Sequence, residues 1–242
     1  MDLFEGYVGI HLWDGQIIDD AIFTMLLVLF IAFALIFRTN YQLFIKMMRD
    51  VIFLKERQNL FEKASKGNAW LFRNFMNFQA LFLCSIGLFS IIRAYGYINH
   101  LSKPALLISI GLIFAILYVF YWLKQSFYFL FGLVFADSGK YKLWKTNYNA
   151  IMGAWGVLEY LPVIWLLFVG SHLTSSVILF SIFYISCRFV IIYKTIRIFY
   201  KKNTGFLYIS LYLCGQEILP LIFLYKGIIY LYNFIEASTL WR

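Results

Sequence analysis

From Ala21 to Phe37 the chain runs without a single charged residue, and stretches nearly as apolar recur as far as residue 225. A helix rises 1.5 Å per residue, so about 20 such residues cross the ~30 Å hydrocarbon layer of a bilayer. Segments of this kind lie at approximately 20–37, 75–98, 104–123, 149–169, 175–198 and 204–225. Inside lipid every backbone N–H and C=O must be satisfied within the protein, which leaves helices or a closed barrel. A barrel would show short alternating segments rather than long apolar runs. The sequence therefore predicts an all-α polytopic membrane protein, a bundle of about six transmembrane helices with a cytoplasmic interfacial helix. At 62% hydrophobic and 14% charged residues the composition lies outside the range of soluble domains. The spans leave little chain for anything else, so residues 1–242 are expected to form one integral membrane domain.

Basic residues near the ends of spans set orientation. Arg38 to Arg73, Lys124 to Lys145 and Lys194 to Lys202 together hold 16 of the 21 lysines and arginines, all in alternate connections. These connections are expected on the cytoplasmic side, with both termini extracytoplasmic. Residues 1–19 carry Asp2, Glu5, Asp14 and Asp19 but no Lys or Arg, the reverse of a signal-peptide start. That segment is expected to remain in the mature protein as an extracytoplasmic one.

The net charge of +9 is accounted for by this topology and by attraction to anionic lipid, so lipids are the expected partners and nucleic acid is not. The basic segment 38–74 contains Phe44, Met47, Met48, Val51 and Leu54 on one helical face, with Lys46, Arg49 and Arg57 elsewhere. Such a stripe lies on the membrane surface or packs on the protein's own bundle. Ser126 to Ala136 is apolar all round but too short to span. It is expected to lie in the interface or to prolong the third span, in preference to a re-entrant hairpin.

Cys84, Cys187 and Cys214 fall singly in three spans, with no metal or redox spacing, and read as packing groups. His11, His100 and His172 all map to the extracytoplasmic side, a weak metal candidate beside the simpler reading of three loop histidines. HExxH, GxSxG, Walker A and GxGxxG patterns are absent, so neither an enzyme activity nor a cofactor is expected.

Glu159, Arg188 and Glu217 are the ionisable groups at membrane depth. Each is unfavourable there by roughly 2.5–3.5 kcal/mol on insertion scales, so such groups face a bundle interior, pair, or mark a pathway. Pro162 and Pro220 each follow a glutamate by three residues. A proline removes the donor for the carbonyl four residues earlier, here Leu158 and Gln216, beside each glutamate. Two kinked helices with a carboxyl and a bare carbonyl at the kink suit a proton, ion or substrate site, or a glutamate–arginine pair that holds helices together. Ala150, Gly153, Ala154 and Gly156 let a neighbouring helix approach closely in either case.

The stretch LYLCGQEILPLIFLYK, residues 211 to 226, resembles the C-terminal signature of a polytopic inner-membrane protein family of Bacteroidota described as a domain of unknown function (DUF4271-like). Tyr212, Cys214, Glu217, Pro220 and Lys226 carry the resemblance, and the Pro162 region is similar to that family's second proline-containing span. The resemblance implies a bacterial inner membrane facing a periplasm, and brings no activity with it. The expected function is a non-enzymatic inner-membrane component of a transport or envelope-assembly system, with a membrane-protein partner or a further copy of the chain. The alternatives are a small proton- or ion-coupled transporter or channel using Glu159 and Glu217, and a membrane-embedded enzyme of another type.

Overall fold

Apolar length decides where helices form, and polar or glycine positions decide where they stop. The computed structural model describes residues 16–52, 66–96, 103–135, 138–168 and 173–199, with positions 215, 222, 226, 227 and 230. Among these residues the regular structure is helical: α1 (Gln16–Thr39), α2 (Tyr41–Ile52), α3 (Lys66–Ala94), α4 (Lys103–Phe135), α5 (Ser138–Leu158), α6 (Tyr160–Phe168) and α7 (Leu173–Phe199). Among the described residues five stretches are long and apolar enough to cross a membrane: Ile18–Thr39, Ala69–Ala94, Pro104–Leu130, Tyr141–Leu167 and Thr174–Ile198. They correspond to the first five expected spans. The sixth, 204–225, falls outside the described residues apart from positions 215 and 222.

The boundaries differ from the sequence expectation for identifiable reasons. The α3 helix ends at Ala94 because Gly96 takes a positive φ of 81° and its N–H bonds the Arg93 carbonyl at 2.9 Å, a left-handed C-cap. Pro104 stands in the first turn of α4, where a missing N–H costs nothing. Ser126 to Phe135 continues α4, so the prolonged-helix expectation holds and 33 residues give a rod about 50 Å long. Helix α5 begins at Ser138, eleven residues before the expected span. Its polar Lys142, Lys145 and Thr146 resemble a loop, but the intervening Trp144, Asn147, Tyr148 and Ile151 are buried on the other side of the same helix.

Helices α3 and α5 form the interior, and α1, α4 and α7 surround them. In α1 the buried residues Ile18, Ile22, Leu26 and Leu29 make one stripe at helical spacing, while Phe23, Leu27, Val28, Phe30 and Ile31 are exposed. The outer faces of α4 and α7 repeat this, with Ile108, Val119, Ile182, Ile185 and Phe189 turned outward. Apolar side chains on both the inner and outer faces suit a bundle whose solvent is hydrocarbon.

The α3 and α5 helices lie side by side and run in the same direction. Met76 meets Gly153, Ala80 meets Gly156 and Cys84 lies beside Glu159, so both numbers rise together along the interface, and Asn77 bonds Asn149. Asn77 Nδ2 also donates to the Tyr121 hydroxyl at 3.1 Å, which ties α4 to this pair. Asn40 alone separates α1 from α2, and its N–H and side-chain amide both bond the Ile36 carbonyl.

The amphipathic stripe of α2 rests on protein. Met47 is buried with Phe72, Met76 and Ala150 from α3 and α5, and Leu43, Phe44, Met48 and Val51 pack around them. Lys46 and Arg49 lie on the exposed side. Leu54 and Arg57 lie outside the described residues. Lys124 and Lys194, counted with the basic connections, are instead buried at 3% and 4% exposure. Lys194 donates to the Asp50 carbonyl at the end of α2 and to Asn147 Oδ1 at 3.0 Å. Lys124 lies over the rings of Tyr128 and Tyr148, 5.9 and 5.4 Å from their centroids. The long lysine stem lets each ammonium find carbonyls or ring faces inside the bundle end.

Candidate functional site: a buried carboxyl at a broken helix

The division between α5 and α6 is a single residue, Glu159, within the one candidate span Tyr141–Leu167. Pro162 has no N–H to offer the Leu158 carbonyl, so one rung of the helical ladder is missing. The rungs on either side persist: Glu159 N–H bonds the Trp155 carbonyl at 2.9 Å, and Val163 N–H bonds the Glu159 carbonyl at 3.1 Å. Leu158 points outward and Glu159 inward, with only 1% of Glu159 exposed.

Neither carboxyl oxygen of Glu159 has a hydrogen-bond partner among the described residues. The Cys84 thiol of α3 lies beside it as a weak potential donor, and Cys84 also feels the charge of Arg188 and the thiol of Cys187. Arg188 places its guanidinium carbon 4.9 Å from the centroid of the Tyr184 ring, one turn earlier in α7. Tyr184 in turn packs edge-on against Trp155 at 5.9 Å. The α3, α5 and α7 helices thus bring Cys84, Trp155, Glu159, Tyr184, Cys187 and Arg188 into one cluster. Glu159 and Arg188 share it without a direct hydrogen bond between their side chains.

Further buried polar atoms have no hydrogen-bond partner among the described residues: both amide atoms of Gln79, Asn77 Oδ1, Trp155 Nε1 and the Tyr160 hydroxyl. Interior polar atoms are normally satisfied by protein or by ordered water.

A family model described as a domain of unknown function (DUF4271) matches residues 22–228. The chain belongs to the DUF4271 family. Neither the curated proteins nor the solved structures contain a match to it. The stretch matched to DUF4271 includes Glu159, Pro162 and Arg188, and also Glu217, Pro220, Tyr212 and Cys214, which lie outside the described residues. Lys226 is exposed. His11, His100 and His172 likewise lie outside the described residues, and among the described ones no group of three His, Cys, Asp or Glu side chains is placed to hold a metal.

Trp155 and Tyr184 were open to sequence reasoning, since each precedes its charged neighbour by four residues on a helix. Cys84 was not, because its place beside Glu159 depends on how α3 slides against α5.

Proposed function

We propose that the protein is a non-enzymatic component of a membrane transport or envelope-assembly system in which Glu159 takes up and releases a proton or small cation. The observation that carries this reading is the Glu159 carboxyl itself, buried at a proline-broken helix with both oxygens unpartnered among the described residues. An ionised carboxylate in hydrocarbon without hydrogen bonds is costly, whereas the same group holding a proton or cation is not. Its occupancy is therefore coupled to whatever brings water or the Arg188 guanidinium to it. On this proposal the basic ends of the spans face the cytoplasm of a bacterial inner membrane, as the positive-inside rule requires, and α2 lies at the cytoplasmic surface.

The test uses full-length protein in liposomes carrying an imposed pH gradient, read with an internal pH-sensitive dye. Wild type is expected to dissipate the gradient and Glu159→Gln to hold it, with equal thermal stability in detergent. Equal flux through both, or no flux above empty liposomes, overturns proton handling by this chain alone. Replacing Arg188 with Leu, alone and with Glu217→Gln, then asks whether a second carboxyl shares the guanidinium. A coupling energy near zero in that cycle removes Glu217 from the site.

A packing role is the second reading, favoured by the close approach of Gly156 to Ala80 one turn from Glu159. It predicts that Glu159→Leu is stable and leaves every cellular phenotype intact. Co-purification of a stoichiometric partner from native membranes would support assembly over autonomous transport.

A further inference from the structure

We infer that the cleft between α2, α3 and α5 is a binding site for an anionic phosphate group presented at the membrane surface. Lys46 and Asp50 from α2, Arg73 from α3, and Thr146 and Asn149 from α5 line it, over an apolar floor that includes Phe72. Two cations and one carboxylate thus line the cleft with an amide, and the Thr146 hydroxyl there donates to the Lys142 carbonyl. The Asn149 Oδ1 atom already accepts from Asn77 and Tyr121, which directs the amide's chemistry toward donation through Nδ2. A cationic side chain, a guanidinium fork and an amide N–H are the groups that recognise phosphate oxygens.

The depth of the cleft points to the same ligand. Candidate spans begin at Ala69 in α3 and Tyr141 in α5, and α1's span ends at Thr39, just before α2 starts. Lys46, Arg73 and Thr146 therefore stand at the end of the bundle, where phosphates of anionic lipids lie and where each nearby basic residue adds to lipid attraction. The cleft volume of about 30 Å³ admits about two oxygen-sized atoms. That suits the edge of a phosphate whose ester and acyl chains remain outside, over exposed apolar residues such as Ile45 and Trp70. Asp50 tempers the attraction and disfavours a dianion relative to a singly charged phosphodiester.

The experiment titrates full-length detergent-solubilised protein with phosphatidylglycerol, and separately with phosphatidylcholine and inorganic phosphate, reading bound ligand by native mass spectrometry. Phosphatidylglycerol is expected to bind more tightly than phosphatidylcholine. Lys46→Gln and Arg73→Gln should each weaken it about fivefold, and Lys46→Arg should not. Lys142→Gln, at an exposed lysine at the same end of α5 but outside the cleft, should leave binding unchanged. Equal binding of the two lipids, or equal loss in Lys142→Gln and Lys46→Gln, overturns the site in favour of diffuse surface charge. Displacement of phosphatidylglycerol by millimolar inorganic phosphate assigns the cleft to a free phosphate, and its failure assigns it to the lipid headgroup. Lys46 is exposed, so Lys46→Gln keeps the test valid if Arg73→Gln fails to fold.

Discussion

Gly156 of α5 lies against the backbone of Ala80 in α3: a Cβ on Gly156 would sit 2.7 Å from the Ala80 Cβ and 2.8 Å from its Cα. This contact fixes how closely the two interior helices approach. One turn further along, the same interface sets Cys84 beside Glu159, and about two turns in the other direction it sets Asn77 against Asn149.

Because the obstructing atoms at Gly156 are backbone and Cβ, they cannot swing aside. Gly156→Leu is expected to lower stability by about 1–3 kcal/mol through overpacking. Gly156→Ala should cost less, and adding Ala80→Gly should return part of the loss, since the two sites touch. Thermal unfolding in detergent measures all three. Strict additivity of Gly156→Ala and Ala80→Gly would contradict the contact.

Glu159 separates size from charge. Glu159→Gln keeps shape and removes the ionisable proton, and is expected to change stability by less than about 1 kcal/mol. Glu159→Lys puts a cation into the same buried space and should cost at least the roughly 2.5–3.5 kcal/mol of an intramembrane charge. A Lys variant that unfolds at the wild-type temperature would show that water reaches this position freely.

Lys194 pins the end of α2 through the Asp50 carbonyl and braces α5 through Asn147. Lys194→Met preserves length and apolar contact while leaving these acceptors without the ammonium, a loss of about 1–3 kcal/mol. Hydrogen exchange should then quicken over Tyr41–Ile52, with α3 little changed. Unchanged exchange in α2 would mean that the Met47 contacts alone hold the helix.

The Arg93–Asp19 pair joins α1 to α3 at the end of the bundle remote from α2, with a closest N–O distance of 2.5 Å and side chains 28% and 57% exposed. Exposure of this degree limits its contribution to less than about 1 kcal/mol, reduced further by salt. Arg93→Asp should destabilise slightly, and Arg93→Asp with Asp19→Arg should recover. A melting temperature insensitive to both would make the pair energetically silent.

The orientation can be read at two exposed positions on opposite ends of the bundle, Tyr95 and Lys142. In intact cells Tyr95→Cys is expected to react with a membrane-impermeant thiol reagent and Lys142→Cys is not. The reverse pattern would invert the proposed topology.

Apolar length by itself located the five described spans and singled out Glu159 and Pro162, because the cost of placing polar atoms in hydrocarbon is a property of each segment alone. It also placed Lys124 and Lys194 at the basic ends of their helices, but not inside them. What only the tertiary structure decided were the lateral relationships: the sliding of α3 against α5 that puts Cys84 beside Glu159, the covering of Met47 by α3 and α5, and the burial of both lysines under carbonyls and aromatic rings. Lipid is as apolar as leucine, so the pattern of hydrophobic residues does not mark which face of a membrane helix meets a neighbour. That choice rests on close shape fit at positions such as Gly153 and Gly156, and the fit exists only between two helices already in place.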